Sequence, residues 1–380
     1  MIFYTVNNLL LLLWAGIFCS RKPSKLKNLF FIIIAFTQLF AILLFRDKIG
    51  LDYNMYSVGF INMSADGFQI LTYKDWEIGF VVLTKLLGLI LPDYLWYMGV
   101  FALLAAVAAA IYIYANSEMP WLSTILYVNL FLFFLSMNFI RQLVAISLLM
   151  LAWHFIKRKK FVPFLIIILF ASLFHQTVLV MIPVYFLIKL KPNVKELILY
   201  GYILLWFYMC SNNFIDLITS IYHEEYASSK FITTGESLIY SVFPLVITII
   251  SFFLSKTETI NLTIENKYLI NLSFIGSITM LTMSKHSIIE RLSYYFLIFT
   301  ILLVPVIYRS LRSNGIRFQR GEKVVELTAE KQKKRLAVCF LIGVLLLSYV
   351  HFYYGLAEGA HGAEIYSTWL RIPGIPYTFN

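Results

Sequence analysis

Asn138-Phe-Ile-Arg141-Gln142-Leu-Val-Ala145 opens an apolar run that stops at Lys157-Arg158-Lys159-Lys160. A second apolar run leads to Phe174-His175-Gln176-Thr177, and a third passes through Pro183-Val184-Tyr185-Phe186 to Lys189. Basic clusters thus bracket residues 161–190, which must cross a membrane twice or not at all. Two crossings give two short helices, each roughly 20 Å long at 1.5 Å per residue. His175 then sits at the tip of a hairpin, with Arg141 at similar depth on a neighbouring helix. Ionisable groups at that depth cost about 3 kcal/mol each by insertion scales, which makes them candidate functional groups.

The rest of the chain agrees with a membrane setting. Sixty per cent of its residues are hydrophobic, only 13% are charged, and the mean hydropathy is +0.79. Those values exclude an ordinary soluble chain. Apolar runs long enough to cross a hydrocarbon core of ~30 Å recur along it, while barrel-type alternating segments are absent. We expect one all-α, polytopic domain over 1–380. Its spans fall near 2–19, 29–45, 94–114, 121–137, 139–156, 161–173, 177–188, 196–210, 237–254, 268–284, 292–308 and 336–352, about 12 transmembrane helices. The segment 77–91 carries Lys85 in its middle and reads as an interfacial or re-entrant helix. With that choice, the loops 20–28, 115–120, 157–160, 189–195, 255–267 and 309–335 lie inside. They hold 22 of the 31 lysines and arginines, while the outer side takes 13 of the 20 acidic residues. This is the positive-inside pattern, and it places both termini outside.

The net charge of +11 is therefore loop charge near anionic lipid, and no nucleic-acid partner is expected. The first apolar run lacks a basic stretch before it, so it reads as a retained helix and not a secretory signal. Cys19, Cys210 and Cys339 lie apart, with no metal or disulfide spacing. No phosphate-cradling glycine loop, nucleophile elbow or HExxH pattern occurs, so nucleotide-driven chemistry has no visible seat.

Several outer positions carry the polar chemistry. Asn138, Arg141 and Gln142 are spaced i, i+3 and i+4, one face of a continuous helix. An arginine there can fork onto phosphate oxygens or snorkel to the head groups. His175 can take a proton from a hydroxyl near neutral pH, or simply close a helix end. Arg291 starts another outer helix beside His286, Glu290 and Tyr294, with His286 and Glu290 spaced to pair. Two arginines in one cavity would match a dianionic leaving group such as a diphosphate. Residues 46–93, with Asp52-Tyr53-Asn54-Met55-Tyr56 and Asp75-Trp76-Glu77, and residues 211–236, with Tyr222-His223-Glu224-Glu225-Tyr226, mix rings, amides and carboxylates. That mixture suits sugars, although tyrosine and tryptophan also serve as membrane anchors. The proline-rich tail, Arg371-Ile-Pro-Gly-Ile-Pro-Tyr377, reads as an extended outer segment.

Taken together, Asn138-Phe-Ile-Arg141-Gln142, Phe174-His175-Gln176-Thr177 and Pro183-Val-Tyr185-Phe resemble the EpsG family of Wzy-like surface-polysaccharide polymerases. The Asp52–Tyr56 stretch, Trp76-Glu77-Ile-Gly79-Phe80, Glu290-Arg291-Leu-Ser-Tyr294-Tyr-Phe296 and Ile375-Pro376-Tyr377 fit the same pattern in the same order. The family's Glu-Pro is Glu77-Ile78 here. The resemblance implies a GT-C-like glycosyltransferase in the bacterial plasma membrane. It would polymerise repeat units carried on undecaprenyl diphosphate at the outer face, without metal or other cofactor. Donor and acceptor would both be lipid-linked glycans, with membrane lipid and a chain-length regulator as further partners. In that scheme Arg141 and Arg291 bind the diphosphate, and His175 is the base with Asp52 as the alternative. Asn138, Gln142, Tyr56, Glu77 and Tyr294 bind substrate. The competing functions are a flippase for lipid-linked glycan and a membrane ligase or acyltransferase.

Overall fold

The computed structural model describes residues 1–20, 24–67, 69–190, 198–199, 201–202, 205–206, 209–210, 237–284, 289–320, 323–326, 329–362, 365–369 and 378–379. The chain divides into two compact units, Met1–Ile182 with Phe352–Asn380, and Pro183–His351. Both are built of helices. Six described helices are long and apolar enough to cross a membrane, and four shorter apolar helices accompany them.

In the first unit, α1 (Ile2–Cys19), α2 (Lys25–Phe45) and α5 (Tyr94–Asn116) are long helices with two faces. Along α5, Trp96, Val100, Leu103, Val107, Ile111 and Tyr114 point outward at steps of three and four. Such a stripe belongs in lipid. The opposite face is Gly99, Ala102, Ala105, Ala106 and Ala109, all buried. A β-carbon on Gly99 would stand 2.9 Å from Leu44 of α2, so small residues let the two backbones close up.

Polar side chains tie α1 to its neighbours. Asn8 donates to Asn129 Oδ1 at 3.0 Å, Gln38 donates to Asn7 Oδ1 at 2.7 Å, and the Trp14 indole donates to Gln38 at 2.9 Å. The end of α2 is closed from far along the chain. Three of its last four carbonyls accept from residues 366 and 369: Ile42 from the Tyr366 hydroxyl, Leu44 from the Trp369 indole, and Phe45 from the Trp369 amide. Those carbonyls have no partner within their own helix.

The span expected at 121–137 is broken. It forms α6 (Pro120–Asn129), a turn in which Phe131 has φ +61°, and the single turn α7 (Leu135–Asn138). A second break at Phe139, with φ −103° and ψ 58°, precedes α8 (Ile140–Ile156). Every residue from Pro120 to Met137 except Trp121 is buried. Non-helical backbone is tolerated at membrane depth where protein encloses it. Here local hydrogen bonds also satisfy it, from Phe133 N to Tyr127 O and from Met137 N to Phe134 O.

Asn138 pins this broken segment. Its Oδ1 accepts from Leu51 N at 2.6 Å, and its Nδ2 donates to His361 O at 3.0 Å. Leu51 leads into α3 (Tyr53–Ala65), and His361 lies in a short turn after α14 (Glu330–Ala357). The His361 ring is enclosed by Phe131, Phe134 and Phe139, and burial pushes its imidazole down to about 4. The segment 77–91, expected as an interfacial or re-entrant helix, contains the helix α4 (Ile78–Gly88). Its buried Lys85 donates to Met63 O at 3.0 Å and Gly67 O at 2.6 Å, closing the end of α3. Next to α8, α9 (Phe161–Ser172) packs as a hairpin partner, and α10 (Met181–Leu187) follows after a 3-10 turn.

The second unit centres on α11 (Ile239–Lys256), α12 (Ile264–Met283) and α13 (Glu290–Asn314), packed in sequence. Buried hydroxyls join them. Thr248 bonds Ser277 at 2.7 Å, and Thr300 donates to Ser273 at 3.1 Å. Gly276 meets Phe296, whose Cβ would lie 2.8 Å from an added β-carbon. Asn271 fastens α12 by donating to the carbonyls of Ile188 and Leu190, each at 2.9 Å. Two small antiparallel ribbons supplement the all-α expectation. One, β1 (Arg317–Arg320) with β2 (Lys323–Glu326), lies inside the basic loop 309–335 and sets Arg317 opposite Glu326. The other pairs β3 (Tyr366–Ser367) with β4 (Thr378–Phe379).

Gly50 marks the tightest approach to the broken segment. Its φ is +107°, and an added β-carbon would stand 2.2 Å from Met137 O and 2.8 Å from Asn138 Oδ1. Gly50→Ala should destabilise the first unit by about 1–3 kcal/mol. Thermal unfolding of the purified protein in detergent checks this, and an unchanged midpoint would contradict the packing described.

Candidate functional site

A carboxylate reaches Arg141 and His175 because α4 starts against the end of α9. Gly79, in the first turn of α4, donates its amide to Leu173 O at 2.9 Å. A β-carbon there would lie 2.7 Å from both the oxygen and the Cβ of Leu173, so only glycine permits this contact. Glu77 precedes α4 with extended backbone, φ −63° and ψ 137°, and its side chain makes no cap bond. It turns sideways instead. On the other side, α9 ends at Ser172 and the chain reverses, with His175 N bonding to Ala171 O at 3.1 Å. Two residues past Leu173, the imidazole faces Glu77.

Both carboxylate oxygens of Glu77 are used. Oε2 takes Arg141 Nη1 at 2.5 Å, and Oε1 meets His175 Nδ1 at 3.0 Å. The three side chains are 12–16% exposed, screened from bulk solvent but reachable. Arg141 sits one residue inside α8, just after the break at Phe139. Its guanidinium carbon lies over the Trp76 ring at 5.0 Å, and Nη1 also reaches Asp75 O at 3.4 Å. The buried Tyr56 side chain lies beside the same guanidinium. Trp76 in turn stacks on Phe80 and takes the edge of Tyr56, with ring centroids 5.5 Å apart in each case.

The charges support one another. Burial opposes ionisation of Glu77, but the His175 hydrogen bond and the Arg141 guanidinium outweigh it and hold the carboxyl below its usual range. An ionised carboxylate only accepts hydrogen bonds, so His175 Nδ1 must be the donor. In the neutral ring that leaves Nε2 as the basic nitrogen. The cluster therefore joins a fixed cation, an anion and an oriented imidazole. Among the described residues no group of His, Cys, Asp or Glu is arranged to hold a metal ion.

The remaining expected residues are dispersed. Tyr56 is in the cluster, and Gln142 is buried beside Arg141 on α8. Asn138 is not on the Arg141 face, because the helix breaks between them. Its amide is spent on backbone at Leu51 and His361. Asp52 caps the start of α3 without a side-chain cap bond, and its charge acts on His361 and Tyr56. In the second unit, Arg291 is the second residue of α13. There the Tyr294 hydroxyl donates to Glu290, and the expected partner of Glu290, His286, lies outside the described residues. So do the loop 211–236 and the tail from Arg371 to Tyr377. Trp76 and Gly79 belong to the stretch quoted from the sequence, which assigns neither of them a role; here one lies under Arg141 and the other meets Leu173. The clue was the glycine two residues after an acidic residue, at the start of an otherwise apolar helix.

Neither the curated proteins nor the solved structures gave a significant match to this chain. The model of the EpsG family matches residues 29–317, a stretch that includes Glu77, Arg141, His175 and Arg291. The chain belongs to the EpsG family.

Proposed function

We propose that this membrane protein, from a family associated with polysaccharide polymerase activity, is itself a glycosyltransferase. It would join undecaprenyl-diphosphate-linked repeat units into a surface polysaccharide at the outer face of the plasma membrane. A GT-C-like arrangement of about 12 crossings would carry the site. The observation that carries this reading is Glu77, bound at once to Arg141 and to His175 Nδ1.

In the proposed reaction His175 Nε2 takes the proton of the acceptor hydroxyl. The freed oxygen bonds to the anomeric carbon of the donor glycan. The bond from that carbon to the diphosphate oxygen breaks, and undecaprenyl diphosphate leaves with the electron pair. Arg141 stabilises the charge that develops on the diphosphate. Glu77 orients the imidazole and balances the imidazolium as it forms. Tyr56 and Trp76 fix the guanidinium, Gln142 and Tyr294 contact substrate, and Asp52 is the alternative base. The hydroxyls buried between α11, α12 and α13 serve packing, which favours this reading over a flippase lined with polar groups. Partners are the two lipid-linked glycans, surrounding lipid and a regulator of chain length.

Arg141→Ala should abolish long chains while single-repeat glycolipid still accumulates. Glycan electrophoresis at matched expression checks this, and normal chain lengths would end the proposal. His175→Ala should lower the polymerisation rate of purified enzyme by 10²–10⁴-fold, the usual range for a general base. A wild-type rate across pH would remove His175 from the role.

Glu77→Gln should lower both rate and stability at pH 7. Because the folded carboxyl is depressed, its stabilisation is full above the unfolded value near 4.5 and fades as pH falls through the lower folded value. The gap in unfolding temperature between wild type and Glu77→Gln should therefore narrow below about pH 4.5. A gap unchanged from pH 7 to pH 3 would contradict the charge pairing.

A further inference from the structure

Arg46, the residue after α2, is a buried cation with no carboxylate beside it. Its side chain is 3% exposed, and its electrostatic neighbours are three tyrosines, Tyr53, Tyr4 and Tyr366. Asp47, next in the chain, is partly exposed and makes no ion pair with it. The contacts that Arg46 does make are weak. Nη1 reaches Ile49 O at 3.4 Å and Nη2 the Met98 sulfur at 4.0 Å. The guanidinium carbon stands 5.7 Å from the Tyr53 ring centroid, close to the ~6 Å limit for a cation over a ring. Nε has no partner. Two hydroxyls share that condition, Tyr4 in the first turn of α1 and Tyr53 at the start of α3, both buried and both unpartnered. Packing brings Tyr4 to the end of α2. It meets Tyr366 edge-on with ring centroids 6.3 Å apart, and the Tyr366 hydroxyl donates to Ile42 O, one turn before Arg46. Thr368 then bridges the backbone of Arg46 itself.

Donors dominate this place. A guanidinium has no acceptor and keeps its proton, so neutralisation cannot relieve its burial. A phenol is protonated near neutral pH and can donate. A lone buried charge is costly until an opposite charge joins it. We propose that Arg46 Nε and the hydroxyls of Tyr4 and Tyr53 bind one small monovalent anion of the halide class, chloride above all, where α1, α2 and α3 meet. One positive charge matches one negative charge, and three donors surround a single ion. A phosphate would bring further charge and more acceptor oxygens than these donors serve. The site shares no residue with the cluster around Glu77, and it does not depend on the proposed polymerase reading. Its effect is to tie the start of α1 and the end of α2 to the entry of α3, just ahead of the Leu51 amide that Asn138 accepts.

The test uses full-length protein purified in detergent without halide, with gluconate as the balancing anion at constant ionic strength. Sodium chloride should raise the thermal unfolding midpoint saturably, as ligand linkage requires, and sodium bromide should do the same. Tyr4→Phe and Tyr53→Phe each remove one hydroxyl and keep the ring. Each should raise the half-saturating chloride concentration by about tenfold or more, the loss expected for a hydrogen bond to a charged group. Arg46→Met should abolish the chloride response, and the two phenylalanine variants carry the test if that variant does not fold. Ion chromatography of acid-denatured wild type covers an anion held too tightly to exchange, and should then find one chloride per chain. Equal midpoints in chloride and gluconate, with no chloride released on denaturation, would overturn the proposal. So would a chloride response unchanged in both phenylalanine variants, or stronger stabilisation by phosphate than by chloride at the same ionic strength.

Discussion

Glu77 divides its two oxygens between a guanidinium and an imidazole, and the local architecture exists to make that possible. The carboxylate follows Trp76 and precedes α4, the arginine stands just past a helix break, and the histidine sits on a reversal of chain direction. None of these supports is strong alone. A partly exposed ion pair contributes little by itself. What makes this one effective is that the carboxylate, once ionised, dictates the tautomer of His175 and holds Arg141 against an aromatic wall. Charge, orientation and access are set by one side chain.

The backbone devices behind it share a theme, which is close approach allowed by a missing side chain. Gly79 brings α4 onto Leu173, Gly59 brings α3 onto Trp76, and Gly50 brings the entry to α3 onto Met137. Asn138 then closes the assembly by linking that entry to His361, more than 200 residues later. The amide joins α3, which carries Tyr56, to the start of α8, which carries Arg141. It acts on the cluster through geometry alone.

Much of the helical layout could be read from apolar run length. The runs expected at 2–19, 161–173 and 237–254 are helices at Ile2–Cys19, Phe161–Ser172 and Ile239–Lys256. Hydrophobicity alone carries no phase, however, so the stretch 121–137 reads as one span although its helix breaks at Phe131. That break depends on a left-handed residue enclosed by later parts of the chain. The face argument for Asn138 failed for the same reason at Phe139. Arg141 and His175 stood out because each is an ionisable group at the edge of an apolar run. Glu77 joins them from 64 and 98 residues away, a contact that no local pattern encodes.

In the proposed reaction, Glu77 also makes the net charge of the cluster a variable. With the imidazole neutral, Arg141 and Glu77 cancel and the cluster carries no net charge. Once His175 takes a proton the same three side chains total +1, and they do so at the step where the proposed leaving group gains negative charge. A permanently cationic site would hold spent diphosphate as firmly as fresh donor. One whose charge rises and falls with a single proton attracts the anion while the bond breaks and relaxes its hold when that proton departs.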